Sequence, residues 1–363
     1  MKKLFIFLIT LLLIAGCSSS DTGSEGTKGE GTNTTETETN TAEEPIEIVL
    51  GTFFAPTDPF IERVFDPWVE MVEEKTDGRV KVESFHGGQL GSLTTALQDI
   101  AGGVYDVGFI SAIVSEDTEV YPFGISALPF AFPDAQTGHN VMNKFFEKYK
   151  DPQEVVYLGI AMADPYVIWS TSPIRTVEDL KGKKVRGASE MQVELIKKFG
   201  ATPVSIPQEE LYESLQRGTA DAAIYTMTGG GNFKLQEAAP YITKLPITST
   251  AMIPAMNKDA FNNLPDDLKT LFEEELGPAL AQLFTDHCQN YPLELEEQLK
   301  KAVEGKGEFI VLSEEEIAQF SAYAPDIWRT WAERTNQKGY PGDEMLNDFI
   351  RFAKEEGIKV PVE

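Results

Sequence analysis

The sequence predicts an α/β protein of two lobes, with parallel-type sheets, a cleft between the lobes and a helical C-terminal region. Three observations lead to this prediction. The chain has 363 residues, which is enough for two hydrophobic cores of ordinary size. Short apolar runs of strand type alternate with segments of helical spacing through the first two thirds. In the last third, helical spacing dominates.

The first lobe begins with a β-type run and continues as an alternation of helices and strands. Strands are predicted over 46–50, 79–85 and 104–110, and helices over 60–76 and 93–101. This β–α–β–α–β order within about sixty residues is typical of a parallel, doubly wound sheet.

The same alternation returns further along the chain. Strands are predicted over 155–161, 184–186, 202–206 and 222–225, and helices over 177–180, 190–199 and 209–217. We therefore predict a second α/β lobe.

The last third has apolar residues at helical spacing over 260–306, 317–335 and 343–356. Pro265, Pro278 and Pro292 interrupt the first of these segments. Because proline disrupts a helix interior, we expect these prolines to divide that segment into several helices.

The N-terminus carries a targeting signal. Lys2 and Lys3 precede an apolar run over 4–14, which is too short for an ordinary membrane-spanning helix. The ending Ala15-Gly16-Cys17 resembles the bacterial lipoprotein lipobox, in which the cysteine thiol receives the lipid. We predict a signal peptide over 1–16, with Cys17 as the lipidation site on the extracytoplasmic face of the bacterial cell membrane. The alternative is a plain secretory signal with a chance cysteine.

The segment 17–45 is rich in Ser, Thr, Gly, Asn and Glu and has few apolar residues. Such a composition cannot bury enough surface to offset its ordering entropy. We predict a flexible acidic tether between the lipid on Cys17 and the folded body.

Composition and motifs argue against several function classes. The formal net charge of -27 disfavours nucleic acid and polybasic membrane binding. Two cysteines and three scattered histidines give neither a disulfide framework nor a metal-ligand pattern. Gly229-Gly230-Gly231 lacks the residues of a phosphate loop, and we expect it in a turn or along a cleft. No catalytic motif stands out, so we expect no cofactor, and an enzyme is the weaker class.

A two-lobed extracytoplasmic protein usually captures a small ligand between its lobes. For an acidic ligand, arginine is the best binding residue because its planar guanidinium donates two parallel hydrogen bonds to a carboxylate. Arg186 ends a predicted strand beside Gly187 and is the candidate. The alternative is a surface residue in a basic cluster with Lys181, Lys183 and Lys184.

Several stretches resemble the solute-binding subunit of tripartite ATP-independent periplasmic (TRAP) transporters, in the order of that family. They are Gly88-Gln89-Leu90-Gly91 and residues 127–132, 177–186, 200–203, 210–218 with 220–221, 233–243 and 264–268. The resemblance implies the periplasmic-binding-protein fold, a carboxylate ligand and integral membrane permease subunits as partners.

The resemblance also implies roles for individual residues. Arg186 matches the arginine that forms the salt bridge with the ligand carboxylate, and Ser189 matches a position that often binds the same ligand. Gln208 and Tyr225 lie at positions of the family's pocket. Ser111, directly after a predicted strand, completes the expected polar set.

Departures from sialic-acid-binding members concern the edge of the pocket. Tyr166 stands where those members have a second arginine, and Phe53-Phe54 replaces a polar stretch. We expect Tyr166, Trp169, Phe53 and Phe54 to line the cleft, although Phe54 and Trp169 could equally be core residues. This edge favours an organic acid with an apolar or aromatic body over a sugar acid. A dicarboxylate is disfavoured because the sequence shows no clear second cationic site.

Lobe one is expected to comprise 46–163 plus about 252–290, and lobe two 164–251 plus about 291–363. Three other functions stay open at this point. The chain could serve an ABC transporter, could pass its ligand state to a membrane kinase, or could be an enzyme of organic-acid metabolism. The ordered TRAP-type stretches disfavour an ABC transporter. An enzyme would need a catalytic acid–base pair in the cleft, and the sequence offers none that we can name.

Overall fold

The computed structural model describes residues 44–115 and 117–362. The predicted signal peptide, Cys17 and nearly all of the predicted tether lie outside these residues. Within them, no helix has both the length and the apolar character needed to cross a membrane.

The strands of the described chain form two six-stranded sheets. In chain order they are β1 (Ile46–Gly51), β2 (Val80–Phe85), β3 (Val107–Ser111), β4 (Val155–Tyr157), β5 (Ala161–Met162), β6 (Tyr166–Ser170), β7 (Lys184–Arg186), β8 (Thr202–Val204), β9 (Ala222–Thr226), β10 (Tyr241–Lys244), β11 (Ala251–Asn257) and β12 (Glu308–Val311). We call the sheets sheet 1 and sheet 2, and the bodies built on them lobe one and lobe two.

Sheet 1 has the order β2-β1-β3-β11-β4, with β5 also paired to β11. Strand β1 is parallel to β2 and β3, whereas β11 runs antiparallel to its neighbours. Strands β3 and β11 are buried along their whole length, as expected for inner strands covered on both faces.

Sheet 2 has the order β12-β10-β6-β9-β7-β8. Strand β7 is parallel to β8 and β9, and β10 is parallel to β12. Strand β6 runs antiparallel to β9 and β10. The predicted parallel-type sheets are therefore confirmed as sheets that contain parallel strands, each with one antiparallel inner strand.

The two antiparallel strands explain how the lobes are connected. The chain passes from β5 in sheet 1 to β6 in sheet 2, and it returns from β10 in sheet 2 to β11 in sheet 1. Each lobe is thus discontinuous in sequence. The numerical lobe boundaries stay a prediction.

The helices pack around these sheets. In chain order they are α1 (Asp66–Lys75), α2 (Ala96–Ala101), α3 (Ala135–Tyr149), α4 (Glu190–Lys198), α5 (Leu211–Gln216), α6 (Met227–Asn232), α7 (Leu235–Ala238), α8 (Lys258–Asn262), α9 (Asp266–Leu271), α10 (Gly277–Val303), α11 (Glu314–Ser321), α12 (Ala324–Gln337) and α13 (Gly342–Glu355). Single π-helical turns at Ile61–Phe65 and Phe272–Leu276 precede α1 and α10. Helical turns of 3-10 type occur at Tyr121–Ala127, Val177–Leu180 and Gln208–Glu210.

The predicted division of the C-terminal segment by prolines is wrong at two of three positions. Pro265 caps the start of α9, as expected. Pro278 lies in the first turn of α10, where a missing N–H costs little, and the preceding π-helical turn leads directly into it. Pro292 lies inside α10, which continues to Val303. The contacts of α10 with elements of both lobes outweigh the local preference to end the helix.

The C-terminal helices also join the lobes. Helix α12 packs on α4 of lobe two, whereas α13 packs on α3, which precedes β4 of lobe one. The indole N–H of Trp328 in α12 donates to the carbonyl of Pro129 at 2.9 Å. The C-terminal region therefore contacts both lobes.

Candidate functional site: a cavity between the lobes

A cavity of about 650 Å³ lies between the two lobes. Lobe one contributes Phe53, Phe54, Phe60 and Ser111 to its lining, and lobe two contributes Tyr166, Arg186, Gln208, Tyr225 and helix α6. The strand ends and the loops that follow them supply most of these residues, so the cavity lies where the sequence placed the cleft.

The structure brings seven of the nine predicted ligand-binding residues to this cavity. They are Arg186, Gln208, Tyr225, Tyr166, Phe53, Phe54 and Ser111. Ser189 and Trp169 do not line it. Cys17, the predicted lipidation site, lies outside the described residues.

Arg186 is buried at the end of β7, which excludes the alternative of an exposed residue in a basic cluster. Its Nε donates to the carbonyl of Ile206 at 3.1 Å, and its Nη1 approaches the carbonyl of Ile224 at 3.4 Å. Among the described residues, no carboxylate lies within 4.0 Å of its guanidinium, and Nη2 has no protein acceptor. Burial lowers the pKa of Arg186, although its ordinary value is so high that the group stays charged.

Two tyrosines flank the guanidinium. The Cζ atom of Arg186 lies 5.5 Å from the centroid of the Tyr225 ring, which places the cation over an aromatic face. The rings of Tyr225 and Tyr166 meet edge to face at 6.2 Å. The Tyr225 hydroxyl donates to Oε1 of Gln208 at 3.0 Å. Burial raises the pKa of both tyrosines, so both are neutral donors at physiological pH.

Ser189 has a structural task. Its hydroxyl caps α4 by accepting a hydrogen bond from the Gln192 N–H at 3.2 Å. A Ser directly before a helix is a strong local signal for such a cap, and this task competes with the ligand role that the family resemblance implies.

Trp169 belongs to the core, which was one of its two predicted alternatives. Tyr166 and Trp169 are three residues apart in β6, and side chains at that spacing point to opposite faces of a sheet. The indole is fully buried, and its N–H donates to the carbonyl of Thr226 at 3.3 Å.

The run Gly229-Gly230-Gly231 lies in helix α6 and not in a turn, and Gly229 and Gly231 line the cavity, which agrees with the predicted alternative of a position along a cleft. A Cβ on Gly229 would lie 2.6 Å from the Tyr225 ring, and one on Gly230 would overlap the Trp169 indole. The glycines therefore let α6 lie directly on the two aromatic rings.

Sequence reasoning missed Asp58 in lobe one. The Phe60 N–H donates to its Oδ1, and Nδ2 of Asn232 in α6 donates to its Oδ2, both at 3.0 Å. This second bond joins the two lobes across the cavity. Burial raises the pKa of Asp58. In the sequence, an Asp-Pro pair before a helix indicates only a helix cap. Nothing in the sequence indicates that Asp58 bonds to Asn232 in α6.

Asp164 was also missed. It lies in the connection between β5 and β6, and its carboxylate accepts hydrogen bonds from the N–H groups of Met227 and Thr228 at 2.8 and 3.1 Å and from the Thr228 hydroxyl. Burial raises the pKa of Asp164 to about 6, although these hydrogen bonds act to lower it. The carboxylate thus fixes the start of α6 to the connection between the lobes.

The residues of the site have the chemistry of a ligand-binding pocket. Across residues 44–115 and 117–362, no group of three or more His, Cys, Asp or Glu side chains could hold a metal ion. One buried cation, neutral tyrosines and aromatic rings can bind and orient an anion with an apolar body.

Comparison with known proteins places the chain in a family. The model of the bacterial extracellular solute-binding protein family 7 matches residues 50–335. The ectoine-binding periplasmic protein TeaA of Halomonas elongata is 27% identical over 305 residues, which cover 77% of this chain and 82% of the relative.

Solved structures share the fold. A TRAP solute-binding protein specific for aromatic acid ligands, from an unidentified marine microbe and in complex with 3-hydroxybenzoate, aligns with a TM-score of 0.80 at 21% identity, covering 86% of this chain and 99% of that chain. A TRAP periplasmic solute-binding protein from a Sulfitobacter species with bound β-D-galacturonate aligns with a TM-score of 0.70 at 20% identity, covering 83% and 99%. These likenesses confirm the two-lobed α/β fold. Together with the family match, which spans most of the chain, they identify it as a member of family 7 of the bacterial extracellular solute-binding proteins, the TRAP solute-binding proteins.

Proposed function

We propose that this protein captures an organic acid by its carboxylate at Arg186 and delivers it to a TRAP-type membrane permease for ion-gradient-driven uptake. One observation carries the proposal: a buried arginine lines the cavity between the lobes and has no described carboxylate partner. An unpaired buried charge is costly, and an anionic ligand removes that cost.

The surroundings of Arg186 favour a carboxylate in particular. The carbonyls of Ile206 and Ile224 and the Tyr225 ring hold the guanidinium in place, so its planar donors are preorganised. Nη2 keeps its two N–H donors for a ligand. A planar donor group matches a carboxylate, and the neutral Tyr166 hydroxyl can donate a further hydrogen bond without a competing negative charge.

Titration with an identified acid tests this function. A thermal-shift panel of mono- and dicarboxylic acids, with and without aromatic groups, identifies a ligand, because a ligand at a hundred times its Kd adds about 2.7 kcal/mol of apparent stability. Calorimetry then compares variants. Arg186→Ala leaves the ligand charge unpaired in the cavity, and we expect a loss of about 2–5 kcal/mol, or roughly thirty- to several-thousand-fold in Kd.

Two further variants make the result specific. Arg186→Lys keeps the charge but loses the planar donors, so its affinity falls as well. Arg217→Ala removes an exposed arginine of the same lobe, paired with Glu213, and leaves the affinity unchanged. A folded Arg186→Ala protein that binds within about twofold of the native chain contradicts the proposal.

We also propose that Cys17 carries the lipid that holds the protein at the extracytoplasmic face of the cell membrane. The order of a short positive region, an apolar run and Ala15-Gly16-Cys17 supports it. Cys17→Ala is expected to shift the protein from the membrane fraction to the soluble extracytoplasmic fraction after cell fractionation. Membrane retention equal to that of the native chain contradicts the lipid anchor.

The genes beside the one for this chain test whether the protein works with a TRAP-type permease. A pair of integral membrane proteins, one small and one large, encoded beside this chain supports TRAP-type uptake. An adjacent ATPase gene favours an ABC transporter, and a sensor kinase alone favours ligand sensing.

A further inference from the structure

The cavity contains a carboxylate without a cation as well as a cation without a carboxylate. Asp58 lines the lobe-one wall, and no described Lys, Arg or His nitrogen lies within 4.0 Å of its carboxylate. Its two hydrogen bonds, from the Phe60 N–H and the Asn232 amide, come from neutral donors. A carboxylate has about four acceptor positions, so Asp58 can accept further hydrogen bonds.

The other charged groups of the lining do not balance these two. Asp164 already accepts three hydrogen bonds at the start of α6. Glu209 and Lys234 are exposed, so solvent screens their charges. Arg186 in lobe two and Asp58 in lobe one are thus the two groups of opposite charge that a solute in this cavity must satisfy.

The wall beside Asp58 is aromatic. Phe60 lies two residues after Asp58, its ring stacks on Phe54 at 4.0 Å, and Phe54 lies 4.2 Å from Phe53. Phe284 lies 4.9 Å from Phe60 on the other side. A flat apolar group fits this surface better than a hydroxylated sugar ring does, because the wall offers stacking area and few hydrogen-bond partners.

From this arrangement we infer that the solute is an aromatic monocarboxylic acid whose ring carries a second substituent with a hydroxyl or ammonium group, and that Asp58 accepts a hydrogen bond from that group. The inference rests on the proposed binding of the carboxylate at Arg186. Asp58 also acts against dicarboxylates, because a second negative charge would meet a partly desolvated carboxylate.

A matched series of acids tests this substrate class. The probes are phenylacetate and its 3-hydroxy, 3-aminomethyl and 3-carboxymethyl derivatives, titrated by calorimetry into the native protein. The hydroxy and aminomethyl compounds are expected to bind more tightly than phenylacetate, and the dianionic compound more weakly than all three. A hydrogen bond to a charged group corresponds to a difference of about ten- to a hundredfold in Kd between the aminomethyl and dianionic compounds.

Two variants assign the selectivity to Asp58. Asp58→Asn keeps an acceptor for the Phe60 N–H but removes the charge, and we expect the aminomethyl-to-dianion ratio to fall to within about twofold. Glu62→Gln removes an exposed negative charge near Asp58 in sequence but outside the cavity lining, and it leaves the ratio unchanged.

The outcomes separate this inference from the proposed function. The inference is wrong if the native protein binds the dianionic compound as tightly as the aminomethyl compound, if Asp58→Asn folds and keeps the ratio, or if none of the four acids binds. The ranking in the native protein needs no variant, so it decides the matter even if Asp58→Asn fails to fold. Unchanged binding of all probes by Arg186→Ala would instead overturn the carboxylate site itself.

Discussion

The two walls of the cavity are built by different means. On the lobe-two side, Arg186, Tyr225 and Gln208 form one connected group, in which the guanidinium lies over the tyrosine ring and the tyrosine hydroxyl donates to the amide. On the lobe-one side, the half-buried rings of Phe53 and Phe54 lie against each other at a tilt of 32°. Directional contacts to a charge require fixed geometry, whereas apolar contact is non-directional. In the proposed function, the lobe-two wall therefore binds the carboxylate of the solute, and the aromatic rings of the lobe-one wall contact its apolar body.

The walls also differ in how they respond to protons. His287 in α10 stacks on Tyr291 at 4.8 Å and approaches Phe60 at 4.2 Å, and neither of its ring nitrogens has a described hydrogen-bond partner. Asp164, in the connection between the lobes, is a carboxylate that accepts hydrogen bonds from several donors. His287 is therefore expected to lower the stability of the folded protein in acid, and Asp164 to raise it.

The largest expected effect concerns His287. Burial, together with the nearby charge of Arg63, lowers its pKa from an ordinary 6.5 to about 4, against the attraction of Glu294. The unfolded chain therefore binds a proton between pH 6.5 and 4 that the folded chain rejects. The stability contributed by the neutral ring is complete above pH 6.5 and falls by about 3 kcal/mol towards pH 4.

Urea unfolding as a function of pH measures this effect. His287→Phe keeps an aromatic ring and cannot titrate, so the variant should gain stability relative to the native chain as the pH falls from 6.5 to 4. Because only the change with pH counts, a constant packing difference between the two side chains does not matter. Parallel curves would show that the imidazole is protonated normally in the fold.

Asp164 should give a slightly smaller effect of opposite sign. Burial raises its pKa from 3.8 to about 6, so the folded chain holds a proton that the unfolded chain has lost. This stability is complete below pH 3.8 and is lost as the pH rises through 6, by about 3 kcal/mol. Asp164→Asn should therefore gain stability relative to the native chain between pH 4 and 6.5. A relative loss over that range would mean that the carboxylate is better stabilised when charged.

The rigidity of the lobe-two wall is tested at Gly230. A methyl group there would overlap the fully buried Trp169 indole, so Gly230→Ala should lower the free energy of unfolding by about 1–3 kcal/mol, as overpacking does. The control is Gly231→Ala in the same helix, where the new methyl would lie 3.2 Å from a Leu295 methyl that can move. Denaturant unfolding at neutral pH compares the two. Equal losses would refute the close approach of α6 to the indole.

The smallest effect is expected on the lobe-one wall. Phe53→Ala removes part of the apolar surface that, in the proposed function, contacts the solute, and we expect a loss of about 1–2 kcal/mol in the free energy of binding. Arg186→Ala should cost more with the same acid. If Phe53→Ala weakens binding as much as Arg186→Ala does, the division of labour between the walls is wrong. Calorimetric titration of both variants on the same day gives the comparison.

Much of the fold could be predicted from the sequence because the signals are local. The alternation of strands and helices follows from the spacing of apolar residues, and Arg186 was found because it ends a strand beside a glycine. The strand beginning at Val104 was predicted too early, since β3 starts at Val107 and Val104 is exposed. Periodicity identifies an element better than it locates its ends.

The sequence by itself determined the two α/β lobes, the helical C-terminal region and the arginine of the cleft. Only the tertiary structure decided which face of β6 Trp169 occupies, that α10 continues through Pro292, and that Asp58 meets Asn232 at a sequence separation of 174 residues. The reason is physical. Spacing and capping act between neighbours in the chain, whereas the partners of a buried ring, a proline or a carboxylate are set by how the lobes pack against each other.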